Sequence, residues 1–102
     1  MLNISQDGVD IANRFFEVIS VLKESGRIRG LQTFTRRHGL NYGNMATVKS
    51  NITTRSLKPE YIKYLVEDYG VSCEYIILGI LPMFKPSSSK TAISQTQDNA
   101  EP

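Results

Sequence analysis

The side chains best suited to chemistry in this sequence are seven arginines and lysines between residues 26 and 58. No Asp or Glu occurs in that window, although the 102-residue chain has ten acidic residues and a net charge of only +2. Guanidinium and ammonium groups gathered without counter-charges are typical of surfaces that bind nucleic-acid phosphates. The alternative is a solvated basic face without a partner. The seven residues are Arg27, Arg29, Arg36, Arg37, Lys49, Arg55 and Lys58.

Residue types that carry catalysis or bind metals are sparse in this chain. His38 is the only histidine and Cys73 the only cysteine, and there are no paired carboxylates and no phosphate-cradling glycine loop. One cysteine excludes an internal disulfide and a multi-cysteine zinc site, and it suits a reducing compartment. We therefore expect no enzyme, no metal and no cofactor, and we interpret His38 as a partly buried structural histidine.

The basic window surrounds a stretch, residues 31–50, whose pattern predicts two short helices. Phe34 and His38 lie four residues apart in the first helix, and Met45 and Val48 lie three apart in the second. Each spacing gives its helix one inward face.

The two helices are separated by residues that favour a tight corner. Gly39 can adopt the left-handed conformation that ends the first helix. Asn41 can accept a hydrogen bond from the free N–H groups of the second helix and so act as its N-cap. The outer face of the second helix would then present Tyr42, Gly43, Ala46 and Thr47 to a partner.

The whole pattern predicts an all-α domain of five helices over residues 10–84. Residues 1–9 are expected to form a flexible N-terminal arm, with the first helix starting at Val9 or Asp10 and ending at Ser25. Residues 85–102 are rich in Ser, Thr and Gln, and we expect a disordered tail there.

Two later helices complete the predicted domain. The fourth begins at Pro59 and ends at Gly70, and the fifth is a short helix from residue 73 to 78 that Ser72 caps. Apolar spacing predicts a core from one face of the first, fourth and fifth helices. Its expected members are Ile11, Phe15, Val18, Leu22, Ile62, Leu65, Val66, Tyr69, Ile76 and Ile77, with Tyr75 at the rim.

The most apolar run, residues 75–84, is too short to span a bilayer, and the N-terminus does not resemble a signal peptide. We therefore expect a cytoplasmic protein without a membrane partner. Residues 75–84 are the candidate surface for a homodimer. The alternative is that Leu81 and Phe84 fold back onto the chain's own core.

Two motifs carry a resemblance to a known family. Counting from Leu31, the ninth residue is Gly39, and apolar residues stand at the fourth, tenth, fifteenth and eighteenth positions; the segment VSCEYIILG then occupies residues 71–79, and PMF follows at residues 82–84. Together they resemble the Cro and phage-repressor family of helix-turn-helix domains, the lambda-repressor-like, XRE-type fold. The resemblance covers residues 14–84. It departs from the family pattern at Leu31, where a phosphate-binding Gln is usual, at Thr35, where Ala is usual, and at His38, which replaces an apolar residue.

This resemblance implies a small bacterial or phage-type transcriptional regulator, a repressor, that binds double-stranded DNA as a homodimer. A recognition helix at about residues 42–50 would enter the major groove. The residues implied to face bases are Asn41, Tyr42, Gly43, Ala46 and Thr47. Those implied to contact phosphates are Gln32, which is adjacent to Leu31, together with Arg36, Arg37, Asn44, Lys49, Ser50, Arg55 and Lys58.

The proposed recognition surface has no Arg and no Gln to read guanine or adenine, so we expect modest base discrimination. The same weakness supports an alternative function, in which the fold serves as a protein-interaction module such as an antitoxin or an adaptor.

Overall fold

The computed structural model describes residues 4–85, and this part of the chain folds as five α-helices. They are α1 (Gln6–Glu24), α2 (Leu31–Arg37), α3 (Tyr42–Ser50), α4 (Pro59–Tyr69) and α5 (Cys73–Leu78). The prediction of an all-α, five-helix domain is confirmed for these residues. Within residues 4–85 no helix is both long and apolar enough to cross a membrane. The predicted tail, except Lys85, lies outside the described residues, as do the first three residues of the predicted arm.

Helix α1 begins earlier than the sequence predicted. Residues 6–9, assigned above to a flexible arm, form its first turn. The prediction was wrong because Gly8 lowers helix propensity, whereas Ser5 stabilises the start by accepting a hydrogen bond from the Gly8 N–H at 3.1 Å. Ahead of this turn, the Ile4 N–H donates to the Thr53 carbonyl at 2.7 Å and ties the chain to the loop after α3.

Phe15 of α1 lies at the centre of the core. Its side chain is fully buried, and its ring centroid is 5.8 Å from that of Phe34 in α2 and 6.2 Å from that of Tyr61 in α4. Val18 and Leu22 are fully buried beside it, as predicted. The aromatic contacts of one residue therefore join α1, α2 and α4.

The inner face of α4 matches the prediction only in part. Tyr61, Leu65 and Tyr69 are buried, whereas Ile62 and Val66 are only half-buried. Tyr61 takes the inward position because it packs near Phe15. Side chains at i, i+4 and i+8 follow one face of a helix, and this face excludes the neighbouring residues from the centre of the core.

Helix α5 was predicted with its correct bounds but not with the correct inward residues. Ile76 is fully buried as expected, whereas Ile77 is 38% exposed. Tyr75, expected at the rim, is buried. A helix of six residues has room for one narrow inward face, and Tyr75 and Ile76 occupy it.

Polar contacts hold α5 against α1. Arg14 donates from Nε to the Ile76 carbonyl at 2.7 Å and from Nη2 to the Ile77 carbonyl at 3.0 Å. The Tyr75 hydroxyl donates to the Glu17 carboxylate. This hydrogen bond, together with burial, raises the pKa of Tyr75.

The end of the described chain returns to the core. The Ser72 N–H donates to the Met83 carbonyl at 2.8 Å, and the Lys85 N–H donates to the Gly70 carbonyl at 2.8 Å. Phe84 packs against the core, whereas Leu81 is 75% exposed. Of the two residues expected either to fold back or to form an interface, only Phe84 folds back.

Candidate nucleic-acid interface

The corner between α2 and α3 is held by backbone and side-chain hydrogen bonds. Gly39 has a φ of 67°, the left-handed conformation that favours glycine. The Leu40 N–H donates to the Thr35 carbonyl at 2.8 Å, and the buried Thr35 hydroxyl donates to the Gln32 carbonyl at 3.0 Å. Asn41 caps α3, since its side-chain oxygen accepts from the Asn44 N–H at 2.8 Å.

The exposed side of α3 and the N-cap of that helix carry all the residues predicted to face bases. Met45 and Val48 are buried on the inner side of α3. On the other side, Asn41, Tyr42 and Gly43 are exposed and Ala46 and Thr47 are half-buried. The Thr47 hydroxyl donates to the Gly43 carbonyl at 2.8 Å, which leaves its oxygen and its methyl group to meet a partner.

Gly43 has a local role that sequence reasoning did not identify. A Cβ at this position would lie 3.2 Å from the Asn41 side-chain oxygen, a tight contact. The absence of a side chain at Gly43 therefore leaves room for the N-cap. It also allows a partner to approach the backbone of α3 closely at this position.

Tyr42 lines a polar cavity beside the start of α2. The cavity has a volume of about 360 Å³. Its lining brings together two predicted phosphate contacts, Gln32 and Arg36, with two basic residues, Lys23 and Arg29, that were not assigned to the site.

A second polar cavity, of about 510 Å³, lies on the side of α3 that faces the following loop. Thr47 lines it from the helix. The predicted phosphate contacts Asn44, Arg55 and Lys58 also line it, together with Ser56. Cationic side chains therefore flank the exposed face of α3 at both of these cavities.

Three predicted phosphate contacts are placed differently. Lys49 and Ser50 are exposed at the end of α3 but line neither cavity. Arg37 contacts α4: its Nη1 donates to the Tyr69 hydroxyl at 3.3 Å, and its guanidinium carbon lies 5.6 Å from the centre of the Tyr69 ring. Arg27 also donates to Tyr69, through the backbone carbonyl at 3.0 Å. Arg27 and Arg37 therefore help to attach this region to α4.

His38 closes the end of α2 against α4. Its Nδ1 lies 2.9 Å from the Phe34 carbonyl oxygen, and its Nε2 lies 2.7 Å from Oδ2 of Asp68. The imidazole stacks on the Tyr64 ring with the centroids 4.6 Å apart. These contacts, with a nearly buried side chain, make His38 a structural residue, as the sequence predicted. Within residues 4–85 no three His, Cys, Asp or Glu side chains lie close enough together to hold a metal ion.

Charge is segregated between the helices. Every acidic residue of the described part of the chain lies on α1, α4 or α5. The seven basic residues between positions 26 and 58 lie on α2, α3 and the segments that flank them. The α2–α3 pair is thus a positively charged unit on an otherwise acidic set of helices.

Among the residues that line the two cavities, Lys23, Arg29 and Ser56 were not assigned to the site from the sequence. Arg29 is one of the seven basic residues already noted in the sequence, and Ser56 lies in the loop after α3. Lys23 belongs to α1 and joins the site only through the fold. No family model, curated protein or solved structure matches this chain.

Proposed function

We propose that this chain is a double-stranded DNA-binding transcriptional regulator of the lambda-repressor-like helix-turn-helix type, with α3 as the recognition helix. The observation that supports this proposal is the exposed face of α3 between two cavities lined by cationic residues. A duplex that receives a helix in its major groove brings a phosphate backbone past each side of that helix.

The residues divide into two roles. Tyr42, Gly43, Ala46 and Thr47 face the base edges, with Asn41 at the helix start. Other groups bind phosphates and so position the protein on the DNA backbone, without reading the base sequence. These groups are Lys23, Arg29, Gln32, Arg36, Asn44, Lys49, Ser50, Arg55 and Lys58.

Base discrimination by this surface is modest. The Asn41 oxygen caps the helix and the Thr47 hydroxyl proton is donated to Gly43, so neither is available for a base. The methyl groups of Ala46 and Thr47 can contact thymine methyls, and the shape of the duplex supplies further selectivity. A homodimer that reads two half-sites about 34 Å apart adds further selectivity, because both half-sites must be present at the correct spacing.

The proposal is tested by fluorescence anisotropy of a labelled duplex over about 50 to 200 mM salt. Each phosphate contact contributes about −0.9 to the slope of log affinity against log salt, so Lys49→Gln should flatten the slope by about that amount per chain. The matched control is Lys85→Gln, which removes the same charge outside the basic window and should leave the slope unchanged.

A folded sample that fails to bind the duplex even at low salt would contradict the regulator proposal. It would favour the second candidate, a protein-interaction module such as an antitoxin or an adaptor. The internal engagement of Asn41 and Thr47 supports that second candidate, because it leaves α3 few groups for reading bases.

A further inference from the structure

A third polar cavity, of about 280 Å³, is lined by α2 and by the segment that joins α1 to α2. No residue of α3 lines it, so it is separate from the exposed face of the proposed recognition helix. Four of its lining residues are arginines, and it is here called the arginine cavity. The four are Arg27, Arg29, Arg36 and Arg37.

The four guanidinium groups of the arginine cavity have no counter-charge from the protein. No Asp or Glu lines the cavity, and within residues 4–85 none of the four arginines forms an ion pair. Guanidinium groups stay charged in proteins, so the four repel one another. An anion that carries several charges would replace this repulsion with attraction.

Tyr69 of α4 holds two of these arginines in position. Arg27 donates from Nη1 to the Tyr69 carbonyl at 3.0 Å, and Arg37 donates from Nη1 to the Tyr69 hydroxyl at 3.3 Å. The two guanidinium carbons lie 5.7 and 5.6 Å from the centre of the Tyr69 ring. A guanidinium has five N–H donors, so each arginine keeps donors for a ligand. Because both side chains are already restrained, binding costs less side-chain entropy.

Thr33 adds a neutral hydrogen-bond donor to the arginine cavity. Its hydroxyl oxygen accepts from the Arg29 N–H at 3.2 Å, so its proton remains to be donated. Guanidinium groups and hydroxyls are the donors that bind phosphate oxygens, and guanidinium groups do so in pairs of parallel bonds. The volume is close to the lower end of the roughly 300–1,000 Å³ that small-molecule sites occupy. The chemistry and the size therefore fit a small phosphorylated ligand.

We propose that the arginine cavity binds the di- or triphosphate group of a small molecule. None of its lining residues is aromatic, so the site recognises the phosphates and offers no ring on which a base could stack. Inorganic triphosphate and a nucleoside triphosphate share this chemistry.

A ligand in the arginine cavity would also regulate DNA binding. Arg29 and Arg36 line both this cavity and the first one, where they are proposed to contact DNA phosphates. A bound triphosphate therefore competes with the duplex for these two arginines. This regulatory consequence rests on the proposed function, whereas triphosphate binding itself does not.

Isothermal titration calorimetry of the full chain with sodium triphosphate, at constant ionic strength and without DNA, tests the site. Triphosphate should bind roughly tenfold more tightly than orthophosphate, because it can accept from more of the guanidinium groups at once. Arg37→Gln should weaken triphosphate binding by roughly tenfold, the effect of losing one charge-assisted hydrogen bond. Arg29→Gln, which changes an exposed side chain, should do the same and serves as a second variant if Arg37→Gln disturbs α4.

Lys63→Gln is the matched control, and circular dichroism verifies that each variant folds. It removes one positive charge from α4 at an exposed residue that lines neither the arginine cavity nor the first cavity, so triphosphate should bind it as it binds the wild type. A variant of Lys63 that loses as much affinity as Arg37→Gln would overturn the inference, since the effect would be one of net charge. Triphosphate that binds no better than orthophosphate would overturn it as well.

Two further titrations identify the source of the phosphates and separate this site from the DNA proposal. Adenosine triphosphate should bind about as tightly as inorganic triphosphate, and a much higher affinity would contradict recognition of the phosphates alone. In fluorescence anisotropy at constant ionic strength, triphosphate should release a labelled duplex from the wild type. A chain that binds triphosphate but no duplex supports this site and contradicts the DNA proposal. A chain that binds the duplex through Arg27 and Arg37 but does not bind triphosphate assigns the cavity to DNA and overturns the inference.

Discussion

Asn41 has a defined structural role at the start of α3. Its side-chain oxygen accepts the Asn44 N–H, so Asn41→Ala should lower the free energy of unfolding by about 1 kcal/mol. Asn41→Asp retains a capping oxygen, and its charge is favourable at a helix N-terminus, so this variant should remain stable. Its carboxylate should nevertheless weaken duplex binding by repelling phosphates. Urea denaturation and anisotropy measure the two effects, and an Asp variant that binds as well as the wild type would argue against DNA at this position.

The His38–Asp68 pair links α2 to α4 through one hydrogen bond. Hydrogen bonds to charged groups contribute about 1.5–3 kcal/mol, but Asp68 is 46% exposed and solvent reduces this value. We expect a coupling energy of about 1 kcal/mol in a double-mutant cycle of His38→Ala and Asp68→Ala. Urea denaturation of the four proteins gives the coupling. Strictly additive effects would mean that His38 acts only through its contacts with Phe34 and Tyr64.

At the scale of helices, local chemistry was predictable and the choice between packing faces was not. The caps at Asn41 and Ser72 follow from side chains that bond to backbone groups three residues away, so the sequence alone identifies them. The inward face of α4 depends instead on the position of Phe15 in α1. Both Tyr61–Leu65 and Ile62–Val66 have helical spacing, and periodicity cannot distinguish them.

The candidate site likewise contains residues that the sequence identified and residues that only the packing of the helices brings in. The sequence identified the exposed face of α3 because it lies opposite Met45 and Val48 on one short helix. It did not identify Lys23, which lies outside the acid-free window and reaches the first cavity only when α1 packs beside α2. It also did not identify the contact of Arg37, a predicted phosphate residue, with Tyr69, because that contact depends on the docking of α4.

The attachment of α5 to α1 gives a pH-dependent prediction. Tyr75→Phe removes the hydrogen bond to Glu17 and should lower the free energy of unfolding by about 1 kcal/mol near neutral pH. The pKa of Tyr75 is raised in the folded state, so its contribution is complete below the unfolded value of about 10 and is lost as the pH rises through the folded pKa. The stability advantage of the wild type over the variant should therefore disappear in strongly alkaline solution. Urea denaturation over a pH series tests this, and a difference that persists at high pH would assign the effect to packing.

At the scale of the whole molecule, the segregation of charge should act mainly on the rate of association. A positive α2–α3 unit on an acidic set of helices experiences an orienting force near a polyanion, and such steering accelerates binding. Raising the salt concentration should therefore reduce the association rate constant more than it raises the dissociation rate constant. Stopped-flow fluorescence separates the two. A salt effect confined to dissociation would mean that only short-range contacts, and not the overall charge distribution, contribute.

The backbone hydrogen bond from Ile4 to Thr53 makes the Ile4 amide proton a reporter of the state of the loop after α3. That proton can exchange with deuterium only when the bond to the loop after α3 opens. The same loop carries Arg55, so a duplex held there should restrain the loop and slow the exchange. Hydrogen–deuterium exchange followed by NMR should therefore detect an occupied recognition helix at a residue far from it in the chain. An Ile4 amide that exchanges at the same rate with and without the duplex would place the bound DNA away from this loop.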